Sequence, residues 1–138
     1  MFLQLLQTTD PSRPHFPSLS LCHKSTKITS TTSITYAELS HGVEKSSYPE
    51  KNRLALILFL TAIQVLPFDA EAAEEYGTIR ASLEKQGTPI GPMDLLIAAH
   101  AKARGLVVVT NNVLEFSRVN NLQLDYWSAH LFFGTFRH

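Results

Sequence analysis

Apolar and polar residues alternate along the chain in two rhythms, one with the period of a helix and one with that of a buried strand. In AEAAEEYGTIRASLEKQ, residues 70–86, Ala72, Tyr76, Ile79 and Leu83 recur at spacings of four, three and four, the stripe of a helix that buries one side. Asp69 stands at the N-cap position, Glu71 and Glu74 lie near the positive first turn, and Gly87 ends the helix. Pro92 starts a second helix, MDLLIAAHAKAR, which Gly105 stops. LVVVT follows, a run too continuously apolar for a half-exposed strand and typical of a parallel sheet covered on both faces. Upstream, a short strand ending near Ile34 and Thr35 leads into the helix YAELSHGVEKS, Pro49 opens the helix EKNRLALILFLTAI, and QVLPF reads as a short strand. The apolar run at residues 54–63 is about half of the roughly 20 residues that cross a bilayer, so it reads as a buried helix.

Helices alternating with strands over short links predict a three-layer α/β/α sandwich with a central parallel sheet. In such folds, sites form outside the carboxyl ends of the strands. The first thirty residues break the pattern. Residues 8–32 are crowded with Ser, Thr and Pro, and Pro11, Pro14 and Pro17 would each interrupt a helix or a ladder. Residues 1–31 therefore read as an atypical, irregular amino-terminal segment, with the domain proper at 32–138.

Composition narrows the function classes. A length of 138 residues makes one domain, and 12 basic against 12 acidic side chains give no overall field for a polyanion or a membrane surface. Any nucleic-acid contact has to be local. The lone Cys22 excludes an internal disulfide, and no zinc-type Cys/His spacing occurs. The amino terminus lacks the basic region and apolar core of a secretory signal, so the expected location is the cytoplasm.

Three acidic positions are placed by these elements at strand ends or helix starts: Glu38 after the strand at SIT, Asp94 at the start of its helix, and Glu115 after VVVTNN. Carboxylates gathered at one sheet edge repel, and the usual reason to gather them is a divalent cation such as Mg²⁺, which takes hard oxygen ligands and keeps several waters. Such an ion can activate water and offset charge on a departing phosphodiester oxygen. Asn111 and Asn112 can hold ligand waters or a phosphate oxygen. Each position also has a plainer reading: Glu38 as a solvated first-turn residue, Asp94 as a partner of the helix dipole, Glu115 as a surface glutamate. His100 reads as a core or surface residue without a catalytic role.

The segments SITYAELSHGVEKS, PFDAEAAEEYGTIRASLEKQGTPIGPMDLLIAAHAKARGLVVVTNNVLEFSRV and LQLDYW, in that order, resemble the VapC toxins of the PIN-domain ribonuclease family over residues 32–127. The resemblance implies a PIN fold and a Mg²⁺- or Mn²⁺-dependent endoribonuclease acting as the toxin of a type II toxin-antitoxin system. It also implies a homodimer blocked by a VapB-type antitoxin. Family members with the IGPxD and TNN pattern are similar to those that cleave initiator tRNA. Carried over onto this chain, Glu38, Asp94 and Glu115 match acidic metal-site positions, and Asn112 falls where many relatives carry aspartate. The family's amino-terminal LDTN motif, with its ligand aspartate, has no match: Asp10 is followed by Pro11, not by Thr-Asn. A frameshifted or rearranged upstream coding region would explain this foreign beginning, and the resemblance then implies that the family's amino-terminal strand is atypical or lost. The alternative that follows is a catalytically impaired remnant that binds the antitoxin without cutting RNA, or one that fails to fold.

Overall fold

Each long helix is bounded by a residue that answers for the unpaired groups at a helix end. The computed structural model describes residues 5–7 and 28–126. In chain order these form β1 (Leu5–Gln7), β2 (Ile28–Thr32), α1 (Ser33–Lys45), α2 (Pro49–Leu60), β3 (Gln64–Leu66), α3 (Ala70–Gln86), α4 (Pro92–Arg104), β4 (Val107–Thr110), α5 (Val113–Phe116) and β5 (Leu124–Tyr126). Asp69 caps α3 by accepting the Ala72 N–H at 3.1 Å, and Gly87, at φ 68°, closes it in the left-handed conformation that glycine adopts without steric cost. Gly105 does the same for α4 at φ 61°. The hydroxyl of Thr32 accepts the Ile34 N–H at 2.9 Å. This cap ends β2 at Thr32 and starts α1 at Ser33, so the strand stops short of Ile34 and Thr35, where the sequence pattern had carried it.

The sheet has the order β3-β2-β1-β4-β5. β2 pairs with β3 in parallel and β4 with β5 in parallel, while β1 is antiparallel to both β2 and β4. Four strands thus share one direction and the central one runs against them. The expected α/β sandwich is present, its four-strand parallel set split by a reversed centre. The segment expected to be irregular therefore carries a strand at each end, and residues 8–27 lie outside the described residues.

From β2 the chain moves outward to β3, then back across the sheet to β4. With right-handed crossovers, that change of direction puts α1 and α2 on one face and α3 and α4 on the other. The core lies where α3 and α4 meet the sheet: Ile79 and Leu83 from α3, Leu95 and Ile97 from α4, Val108 from β4 and Phe116 from α5. Ala98, Ala99 and Ala101 of α4 are wholly buried, and their small side chains let neighbouring elements approach closely. The stripe read in α3 is the buried face, with Tyr76 packed at its edge. His100 is also wholly buried, edge-on to Phe68 with ring centroids 5.7 Å apart, and neither ring nitrogen has a partner. Burial and the nearby Arg104 push its pKa down, so it is a neutral core residue, not a catalytic one.

One reading of the sequence is corrected. The helix at residues 54–63 was expected to be buried, yet α2 has no buried residue, and Leu54, Ile57 and Leu58 are 59%, 53% and 62% exposed. Its apolar residues run all round the helix, while its main packing is against α1 alone, so no single face can be covered.

Backbone conformation yields opposite outcomes at two glycines. Gly77 lies in the middle of α3, exposed and with open space where a Cβ would stand, so Gly77→Ala is expected to stabilise the protein by about 0.5–1 kcal/mol. Gly87→Ala, at positive φ, is expected to cost about 1–2 kcal/mol. Urea unfolding of the two variants checks both signs.

Candidate active site

One crossover runs outward from β2 to β3 and the other runs back from β3 to β4, and the crevice outside the carboxyl ends of β2 and β4 is the switch point where α/β folds place ligands. α1 begins directly after β2 and carries Glu38 in its second turn, not immediately after a strand end as the sequence pattern suggested. The loop after β4 carries Asn111, which is exposed, and Asn112. α5 brings Glu115, and the first turn of α4 brings Asp94.

Hydrogen bonds tie these elements together. The Asn112 N–H donates to the Thr110 hydroxyl at 3.0 Å, which turns the chain sharply at the end of β4. So turned, the Asn112 side-chain amide donates to Asp94 Oδ2 at 2.8 Å. Glu115 Oε2 accepts the N–H of Gly91, the N-cap of α4, at 3.2 Å. Arg118 lies 3.8 Å from Glu115 Oε1 and donates to the carbonyl of Pro89 at 2.8 Å. Glu115 and Arg118 stand three residues apart on one helical turn, a Glu-x-x-Arg spacing that could have marked Arg118 in the sequence but was missed.

The electrostatics report how close the acids are. Partial burial pushes the pKa of Asp94 up, and the negative charges of Glu115 and Glu38 push it further, while the Asn112 amide works against them. Asn112 thus bonds Asp94 directly, while Glu115 and Glu38 lie near enough for their charges to act on it. These residues do not close into a tight shell: among the described residues, no three acidic, His or Cys side chains converge as a metal-holding group. The Thr35 hydroxyl, one turn before Glu38 on the same face of α1, is buried without a partner. Asp10 lies outside the described residues.

A profile for the PIN domain matches residues 21–122. The chain belongs to the PIN-domain family. It is 50% identical over 96 residues to the tRNA(fMet)-specific endonuclease VapC of Shigella flexneri, spanning 70% of this chain and 73% of that protein. It is 42% identical over 113 residues to ribonuclease VapC2 of Rickettsia felis, spanning 82% and 84%. Among solved structures, VapBC2 of Rickettsia felis bound to a promoter DNA fragment superposes with a TM-score of 0.70 at 43% identity over 72% of this chain and 74% of that one. DNA-bound VapBC of Salmonella typhimurium gives 0.69 at 47% identity over 70% and 74%. The match to the PIN profile begins after β1, so the reversed central strand lies outside it. No helix among the described residues of this PIN domain is long and apolar enough to cross a membrane.

The raised pKa of Asp94 fixes the sign of a pH effect. A carboxyl whose pKa is higher folded than unfolded binds its proton more tightly in the native state, so stability falls as pH rises from the ordinary value of 3.8 through the raised value. Asp94→Asn, which keeps an oxygen for Asn112, is expected to melt at a higher temperature than the parent at pH 7 in EDTA. That gain should vanish below pH 4, which thermal unfolding at several pH values will show.

Proposed function

We propose that this PIN domain is a divalent-metal-dependent endoribonuclease that cuts tRNA, the toxin of a type II toxin-antitoxin pair, working as a homodimer in the cytoplasm and held in check by a VapB-type antitoxin. The observation that carries the reading is the Asp94 carboxylate, held by Asn112 and flanked by Glu38 and Glu115, at the crevice of a fold that is half identical to tRNA endonucleases. Structural likeness to VapBC assemblies supports the antitoxin partner, and likeness to VapC ribonucleases supports an RNA substrate.

The residues suit Mg²⁺ or Mn²⁺. Asp94 carries a field from two further carboxylates, of which Glu115 is itself paired with Arg118, and hard oxygen donors are what such ions take. An open arrangement with one or two direct carboxylates and several retained waters is the ordinary mode of Mg²⁺ binding. Asp94 would ligate directly, with Glu38 supporting it and Glu115 contributing from its place on the Gly91 N–H. When bound, the ion supplies an activated water and offsets charge on the leaving oxygen of the phosphodiester. The chain's own residues then orient the reaction. Asn112 fixes the rotamer of Asp94, and the exposed Asn111 beside it is free to meet a phosphate oxygen.

A second reading, a remnant that binds antitoxin without cutting, is favoured by the reversed central strand and by the lack of a closed three-acid group among the described residues. Cleavage of a tRNA mixture separates the two. The nuclease reading expects cutting with Mg²⁺ or Mn²⁺, none in EDTA and none by Asp94→Asn, while Glu38→Gln should lose about 10–100-fold in rate, the usual cost of disturbing groups that support a metal site. Silence of the parent chain with metal, together with capture of a co-expressed antitoxin, would move the conclusion to the remnant.

A further inference from the structure

The turn before α4 is held by two side chains, one of which, Arg118, the proposed chemistry does not use. Ile90 and Gly91 join Pro89 to Pro92, each proline fixes its own φ, and Asp94 follows two residues beyond Pro92. Two backbone groups of this segment are taken by α5 and the turn that follows it. Gly91 donates its N–H to Glu115 at 3.2 Å, and the Pro89 carbonyl accepts from Arg118 at 2.8 Å. The same guanidinium nitrogen lies 3.8 Å from the other oxygen of Glu115. Gly91 has no side chain with which to cap α4, so these contacts stand in for the missing anchor at the helix entrance.

We propose that Arg118 is a positioning residue of this site: by clamping the Pro89 carbonyl and Glu115 together, it fixes the turn that delivers Asp94 to the Asn112 amide. Glu115 belongs to the same clamp and acts on Asp94 through the turn and through its charge, not as the principal ligand. The ion-binding half of the inference rests on the nuclease reading, whereas the clamp itself rests on the contacts alone. A merely stabilising ion pair at this exposure would be worth little, since Arg118 and Glu115 are 42% and 31% exposed. The backbone contacts on either side of the turn are what set it apart.

Full-length Arg118→Ala, Arg118→Lys and Glu115→Gln proteins provide the test, with two readouts apart from cleavage: the side-chain amide resonances of Asn112 in EDTA, and Mn²⁺ binding followed by electron paramagnetic resonance. In Arg118→Ala the Asn112 amide is expected to move toward the position of a free amide. Its Mn²⁺ Kd should rise about tenfold, at the lower end of what loss of a supporting contact costs, and kcat should fall with little change in KM for RNA. Because one nitrogen makes both contacts, the point charge of lysine can serve both, so Arg118→Lys should recover most of each signal. Glu115→Gln should shift the Asn112 amide as Arg118→Ala does. If Arg118→Ala does not fold, Arg118→Gln, which keeps a donor and loses the charge, takes its place with the same expectation. Unchanged Asn112 resonances and Mn²⁺ affinity beside a lowered melting temperature would overturn the proposal. A parent chain that binds no Mn²⁺, yet shows the Asn112 shift in Arg118→Ala, would sustain the clamp and remove the nuclease reading.

Discussion

The bond between the Asn112 amide and the Asp94 carboxylate joins the loop that leaves β4 to the helix that precedes it, and the candidate site takes its shape from that bond. Asp94 sits where a charge is costly, partly buried and beside two further carboxylates. Three things offset the cost: the Asn112 donor, the positive amino end of α4 and, in the proposed function, a bound cation. A site that is destabilising when empty and relieved by its ligand is a common arrangement in catalytic centres, where charge is concentrated for use and not for folding.

The reversed strand sets the dimensions of the crevice. β2 and β4 run in the same direction with β1 between them, and strands one removed from each other lie about 10 Å apart. Glu38 hangs from the β2 side, while Asn112 and Glu115 hang from the β4 side. Such a gap lets Glu38 and Glu115 raise the pKa of Asp94 through space without bringing three carboxylates onto one ion. Asp94 is the residue that sees both walls, which is why its environment carries the record of the whole cluster.

α2 shows a different limit. Its second half, residues 54–60, is as apolar as the strand LVVVT, yet Val108 and Val109 are buried while Leu54, Ile57 and Leu58 face outward. Hydrophobicity of a segment measures the free energy available on burial, but what buries it is decided by the neighbours that the topology supplies. β4 lies inside a sheet with α4 against it, whereas among the described residues α2 packs chiefly against α1.

Local sequence by itself determined α3 and α4 to within a residue, because their ends depend on contacts inside a few residues: Asp69 with Ala72, Pro92 at a helix start, Gly87 and Gly105 at positive φ. It also marked Asp94 at the start of α4 and Asn112 and Glu115 just after β4, because periodicity shows where an element stops, whereas Glu38 lies in the second turn of α1 and not at the strand end read for it. Tertiary structure alone decided the direction of β1, the exposure of α2, the burial of His100 and the part played by Arg118. Each of these depends on contacts between residues far apart in the chain, such as Arg118 with Pro89 and β1 with β4, and no local pattern encodes which distant groups will meet.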